Sequence, residues 1–310
     1  MFLSISYRFL LRGEIMEFVQ QLFNGLALGS VYALIALGYT MVYGIVKLIN
    51  FAHGDILMVG AFVGYFVMGA LGVSPITMII AFIISMIICA LLGMIIERTC
   101  YKPLRNSPKI TVLITAIGVS IVLENGARVL PFMGPNPRQF PTMKNVNHHF
   151  FGISISGVQI LVIVVSILLM LVLTFVVNYT KIGKAMRAVS YDMKAALLMG
   201  IDVNRVISFT FAIGAALAAA AGVLYASSYP QIDPLMGFMP GLKAFVAAVL
   251  GGIGSIPGAM IGGVLLGIAE TLTKGFISSN LADAVSFGIL ILILLIRPTG
   301  LLGKNTREKV

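Results

Sequence analysis

Three polar side chains fall within six positions of an apolar stretch: the amide of Asn50, the imidazole of His53 and the carboxylate of Asp55, with Gly54 between the last two. Near the end of a membrane helix such a set either anchors the chain at the interface or lines a path for a polar solute. A broken helix at this point would aim free backbone groups into a cavity, and an ordinary short loop would not. Enzymatic chemistry would need a nucleophile with a base, or a metal cluster. The three histidines His53, His148 and His149 lack the cysteine and carboxylate spacing of a zinc site. Cys89 lies inside an apolar run and Cys100 just after one, which argues against a disulfide framework. No metal, no cofactor and no enzyme activity is expected.

A second group is a hydrophilic insert, residues 179–205, reading YTKIGKAMRAVSYDMKAALLMGIDVNR. Its basic residues, Arg187 and Lys194 among them, outnumber Asp192 and Asp202. Ala195 and Ala196 are followed at helical spacing by Gly200, so a short helix would leave room for another surface to approach. Two readings fit: a docking point for a soluble partner, or a loop that is basic because cytoplasmic loops are. The third group is GFMPGLKAFVAAVLGGIGSIPGAMIGG, residues 237–263, in which Gly251, Gly252, Gly254 and Pro257 break any helix. No strand precedes the break and no Gly-Lys-Ser/Thr follows it, so it is not a nucleotide loop. Glu124 with Arg128, and Glu270 with Lys274, are spaced four apart and can pair on one helix face.

The elements that must position these residues are membrane helices. Of 310 residues 59% are hydrophobic and 10% charged, against about 25% charged in soluble domains. The apolar runs are of spanning length and lack barrel alternation. The net charge of +10 falls between apolar runs, without interleaved aromatics, so nucleic acid is not the expected partner. GxxxG pairs at Gly25/Gly29, Gly60/Gly64, Gly258/Gly262 and Gly263/Gly267 allow close helix packing in lipid. The fold expected is all-α and polytopic, with about eight or nine transmembrane or broken helical elements. Residues 1–15 read as a disordered or interfacial tail, 16–303 as the membrane domain and 304–310 as a second tail. Pro131 to Gly157 reads as an external loop, mildly basic through Arg138 and Lys144.

The basic loops 97–109 and 181–205 lie two spans apart, so both can be cytoplasmic, with the C-terminal tail. That parity requires residues 237–251 to cross as a short or broken helix and puts the N-terminus outside. Each half has a long helix rich in small residues, a polar break and a Gly-rich segment, which suggests a two-repeat fold.

Three stretches together carry a family resemblance: NGLALGSVYALIALGYTMVYGIVKLINFAHGDILMVGAF (24–62), the hydrophilic insert with its following helix (181–224), and VLGGIGSIPGAMIGG (249–263). They are similar to the LivH-type permease subunits of branched-chain amino acid ABC transporters, from Met16 onward, which makes Met16 a candidate start. The insert resembles the coupling loop of ABC importer permeases, in most of which a Glu precedes the two alanines; here Lys194 stands there. The resemblance implies a multi-pass subunit of the inner membrane that forms the path for leucine, isoleucine or valine by alternating access. Implied partners are a second permease, two ATP-binding subunits and an extracytoplasmic binding protein. ATP hydrolysis would lie in those subunits, since this chain has no G-x-x-x-x-G-K-[ST]. Arg187, Asp192, Lys194, Ala195, Ala196 and Gly200 would then face an ATP-binding subunit. Asn50, His53, Gly54, Asp55, Gly251, Gly252, Gly254 and Pro257 would line or hinge the path. Urea, amides or other amino acids are the alternative substrates, and an ion-coupled secondary transporter, which needs charges well inside its spans, is the alternative class.

Overall fold

A computed structural model describes residues 2–47, 49–105, 107–143, 147–150 and 153–303, with side chains from residue 14 onward except at 147–150 and 153. Lys144, the side chains of His148 and His149, and the tail 304–310 lie outside the described residues. The helices run α1 Phe2–Val46, α2 His53–Leu71, α3 Pro75–Ile96, α4 Lys109–Val129, α5 Gly157–Tyr179, α6 Lys181–Tyr191, α7 Met193–Leu198, α8 Val203–Ser228, α9 Phe238–Gly251, α10 Ile256–Phe276 and α11 Ala282–Ile296. A π-helical turn, Glu97–Tyr101, extends α3. Among the described residues eight helices are long and apolar enough to cross a membrane. The first of these spans begins at Glu14, but its backbone helix reaches back to Phe2, so the segment read as a tail is helical. Among the described residues the strands form two short pairs. In one, β1 Arg138–Gln139 pairs antiparallel with β4 Gln231–Ile232; in the other, β2 Asn147–Phe150 pairs with β3 Ile153–Ser156.

Local sequence sets the helix boundaries. Ser74 accepts from the Thr77 amide and Pro75 follows at the first helical position, which starts α3. Ser156 and Gln159 form a capping box for α5. Asp202 caps α8 and Ser255 caps α10.

Small residues set the helix packing, as lipid requires. In α1, Gly25 and Gly29 meet α10 backbone to backbone: a Cβ at Gly29 would lie 2.7 Å from the Val264 Cα, and one at Gly25 would lie 2.7 Å from the Ile268 Cα. In α2, a Cβ at Gly60 would lie 2.5 Å from the Ala219 Cα of α8.

These contacts resolve two halves of opposite direction. α1 packs on α8, α9 and α10, and α8 packs on α1, α2 and α3. Call the end that carries α6 and α7 the loop end. α1 descends toward it, α2 rises away from it and α3 descends again; α8 rises, α9 descends and α10 rises. If α1–α2–α3 and α8–α9–α10 are the two members of the suggested repeat, they are inverted relative to one another. In each half the middle helix starts deep inside. Ile56, near the start of α2, is level with Cys89, whose thiol donates to its carbonyl at 3.7 Å, and a Cβ at Gly222 in α8 would strike the Leu57 carbonyl. α9 has 14 residues, about 21 Å at 1.5 Å per residue, well short of the roughly 30 Å of a hydrocarbon core.

Candidate functional site

The starts of α2 and α9 meet. Gly54 touches Gly237 and Gly241 through backbone atoms: a Cβ on Gly54 would lie 2.6 Å from the Gly237 carbonyl and 3.1 Å from the Gly241 Cα. The polar set of the first half surrounds this crossing. His53 is buried, edge-on to Tyr39 with ring centroids 4.8 Å apart, and occupies the space that a side chain at Gly38 would need. Asn50 accepts from the Tyr101 hydroxyl at 2.7 Å. Asp55 accepts from Ser120 of α4 at 2.5 Å and faces the Glu124 carboxyl. The stretch is thus the entry of a helix that starts deep in the fold, and not a loop at its end. The i,i+4 expectation for Glu124 fails: Arg128 donates to Asn125 at 3.5 Å, and Glu124 is turned toward α2.

The other Gly-rich break behaves differently. Gly252, at φ 106°, and Gly254, at φ 93°, turn the chain from α9 into α10 in conformations that favour glycine. A Cβ at Gly251 would strike the Gly258 carbonyl. The segment after α11 straps the turn, with the Leu301 amide donating to the Leu250 carbonyl and the Leu302 amide to that of Gly251, each at 2.9 Å. Pro257 lies exposed at the start of α10. These residues form a closed helix–helix turn at the loop end, away from the crossing of α2 and α9.

At the same end, Asp192 caps α7 by accepting from the Lys194 and Ala195 amides at 2.8 and 3.0 Å. Arg187 of α6 donates to the Val177 carbonyl. Gly200, at φ 79°, ends α7, with the Ile201 amide reaching back to the Ala196 carbonyl at 3.0 Å. Ala195, Lys194 and Gly200 are exposed, but Ala196 packs inward. The surface presented outward is apolar: Leu197, Leu198 and Met199 are 63%, 87% and 81% exposed. Behind it, Glu97 is fully buried, accepts from Ser208 of α8 at 2.5 Å and pairs with Arg105. This latch ties the end of α3 to the start of the helix that follows α7. Asp192→Ala should cost about 1 kcal/mol of local helix stability, seen as faster amide exchange at Ala195 to Leu198.

Two features of the far end were not foreseen. Lys243 of α9 bonds Glu270 at 2.7 Å and Asp283 at 2.6 Å; Lys274 bonds Glu270 at 2.7 Å, and the Tyr32 hydroxyl donates to Glu270 at 2.9 Å. Only the Glu270–Lys274 pair follows from i,i+4 spacing; the rest joins α1, α9, α10 and α11 across long sequence separations. Beside this cluster lies a cavity of about 380 Å³ between α1, α5, α8 and α10. Gln21, Asn24, Tyr229 and Lys274 supply polar groups to it, and Leu28 and Val31 an apolar wall. Tyr229 lies just beyond α8; its pKa is raised, by desolvation first and by the nearby Glu270 charge next, so its hydroxyl stays a neutral donor. Among the described residues no group of three or more His, Cys, Asp and Glu could hold a metal ion.

The family model described as branched-chain amino acid transport system / permease component matches residues 21–294. The chain is 48% identical to the high-affinity branched-chain amino acid transport system permease protein LivH of Escherichia coli (strain K12), over 96% of the chain and 99% of that relative. It is 47% identical to the permease protein BraD of Pseudomonas aeruginosa, named for the same transport system, with the same coverage. A shorter match, 32% over 161 residues, covers half of the chain and 37% of the permease protein LivM of Salmonella typhimurium. No solved structure matches the chain.

Proposed function

The chain belongs to the branched-chain amino acid transport system permease family, and from that membership we propose that it is the membrane subunit through which leucine, isoleucine and valine pass in an ATP-driven importer. The observation that carries the reading is the near full-length likeness to permeases named for this transport. Urea or amides find no comparable support. Since the chain has no phosphate-binding Gly-x-x-x-x-Gly-Lys motif, ATP would be hydrolysed by separate subunits. The second permease would be a LivM-like chain, and an extracytoplasmic protein would deliver the amino acid.

In this scheme the loop end is cytoplasmic, with the C-terminus, and α7 is the docking helix. Its outward apolar trio would seat in an ATP-binding subunit. Closure of that subunit would push α7; the Asp192 cap, the Gly200 turn and the Glu97–Ser208 latch would pass the displacement to α8 and α3. Those helices carry α2, and with it the crossing against α9. A shift of α8 against α1 would open one side of the crossing and close the other.

Expression of the chain with its partner subunits in a strain lacking branched-chain amino acid uptake should restore leucine accumulation that depends on ATP; accumulation driven by a proton gradient without ATP would overturn the reading. Leu198→Glu should leave the chain in the membrane, because the side chain touches little of its own fold, and should lower uptake about tenfold through weakened docking worth about 1.4 kcal/mol. Normal uptake and normal co-purification of an ATPase by this variant would remove α7 from the docking surface.

A further inference from the structure

We infer that the far-end cavity is a binding site for a free aliphatic α-amino acid, with the carboxylate on Lys274 and the side chain against Leu28 and Val31. The inference rests on the permease reading above and adds to it a place on this chain where the solute is recognised.

The cavity is built for one small zwitterion. Its volume of about 380 Å³ is at the low end of the roughly 300–1,000 Å³ of ligand pockets. Lys274 Nζ has three hydrogens and gives one to Glu270. The side chain is 40% exposed, so the ammonium is held in place by Glu270 yet open to the cavity. A second neutral donor, the Tyr229 hydroxyl, comes from the end of α8. Among the described residues the one charged side chain lining the cavity is Lys274, whose ammonium keeps hydrogens for an anionic group beside Glu270.

The ammonium of the same ligand has an acceptor of a different kind. Asn24 and Gln21 stand on α1: the Asn24 oxygen accepts from Gln159 at 2.8 Å and from Gln20 at 3.3 Å, and the Asn24 amide donates to the Gln21 oxygen at 3.2 Å, which leaves that oxygen one open lone pair. The Gln21 oxygen, held by Asn24, can receive an ammonium without the cost of ordering a free side chain. Leu28 and Val31 sit about one and two turns deeper on α1 than Asn24, both buried, and complete an apolar floor. Carboxylate, ammonium and branched hydrocarbon therefore meet three separate surfaces. A fatty acid would lack a partner for the amides, and an alkylamine would lack one for Lys274.

The test uses the full chain in membrane vesicles with Cys100→Ser, leaving only the buried Cys89, and with Ser228→Cys at the cavity wall. A methanethiosulfonate reagent labels the new thiol. Saturating L-leucine should slow labelling; isoamylamine, which has no carboxylate, should not. Lys274→Met should weaken protection by roughly tenfold in leucine concentration, the scale of a lost hydrogen bond to a charged group, while Lys274→Arg retains most of it. Val31→Phe, which fills the floor and leaves the ion cluster intact, should remove protection by leucine and spare protection by glycine. Equal protection by leucine and isoamylamine, protection unchanged in both Lys274→Met and Val31→Phe, or no protection at all would overturn the site. Uptake separates this inference from the function on which it rests. Restored leucine accumulation with an unprotected thiol removes the site and keeps the permease, whereas no dependence of leucine uptake on the chain removes the permease reading itself.

Discussion

Replacing Glu270 by alanine should destabilise the far end of the protein by about 3 kcal/mol, the scale of breaking a buried ion pair by removing one partner. Glu270 is 1% exposed and its carboxylate receives Lys243, Lys274 and the Tyr32 hydroxyl. After the substitution Lys243 would keep only Asp283, whose side chain is half exposed. Lys243 is itself buried, so little water can replace the lost carboxylate. The loss should appear as a fall in the thermal denaturation midpoint of the purified chain in lipid nanodiscs. Removing both charges, with Lys243→Met and Glu270→Met together, should cost less than Glu270→Ala alone, because an uncompensated charge is worse than none. An unchanged midpoint for Glu270→Ala would show that the cluster is not part of the stable fold.

The second large effect is expected at the crossing of α2 and α9. Gly54→Val places carbon atoms where the Gly237 carbonyl and Gly241 Cα already stand. Backbone cannot rotate away as a side chain can, so the cost should exceed the usual 1–3 kcal/mol or so of an overpacked core. The starts of α2 and α9 must separate, and leucine uptake should be lost. Gly118→Ala and Gly288→Ala are the controls, since neither Cβ would meet anything within 4 Å; both should transport normally. Wild-type uptake by Gly54→Val would mean that the close approach of α2 and α9 is not required for transport.

Much of this architecture can be read before any coordinates, because lipid imposes simple rules. The runs of apolar residues give the spans, and the GxxxG pairs at Gly25/Gly29 and Gly263/Gly267 do pack on one another. The parity of basic loops demands a crossing at 237–251; α9 lies there, but with 14 residues it is too short to make that crossing by itself. What periodicity does not reach is the partner of a polar residue across space. Lys243 and Glu270 are 27 residues apart, Asp55 and Ser120 are 65 apart, and Glu97 and Ser208 are 111 apart. Local spacing even misdirects at Glu124, where Asp55 of a neighbouring helix competes for the same face. Ala196 is a milder case: small size alone does not say which side of a short helix faces out. The glycines at 251–258 mark tight backbone, but nothing in their spacing says whether tightness serves a hinge or a closed turn. The cavity lined by Lys274 draws on four segments, so no single window of residues contains it.

The opposed directions of the two halves have a mechanical corollary. The triplets α1–α2–α3 and α8–α9–α10 run in opposed directions and sit in unlike surroundings. Let each body take the shape its counterpart now holds. Contacts between them are then exchanged end for end, and an opening that faced one side of the membrane faces the other. On such an exchange the second state would be encoded in the first, with no new interface to be invented. The work asked of an energy source would then be to tip a seesaw whose two resting positions are related by a two-fold axis in the plane of the bilayer.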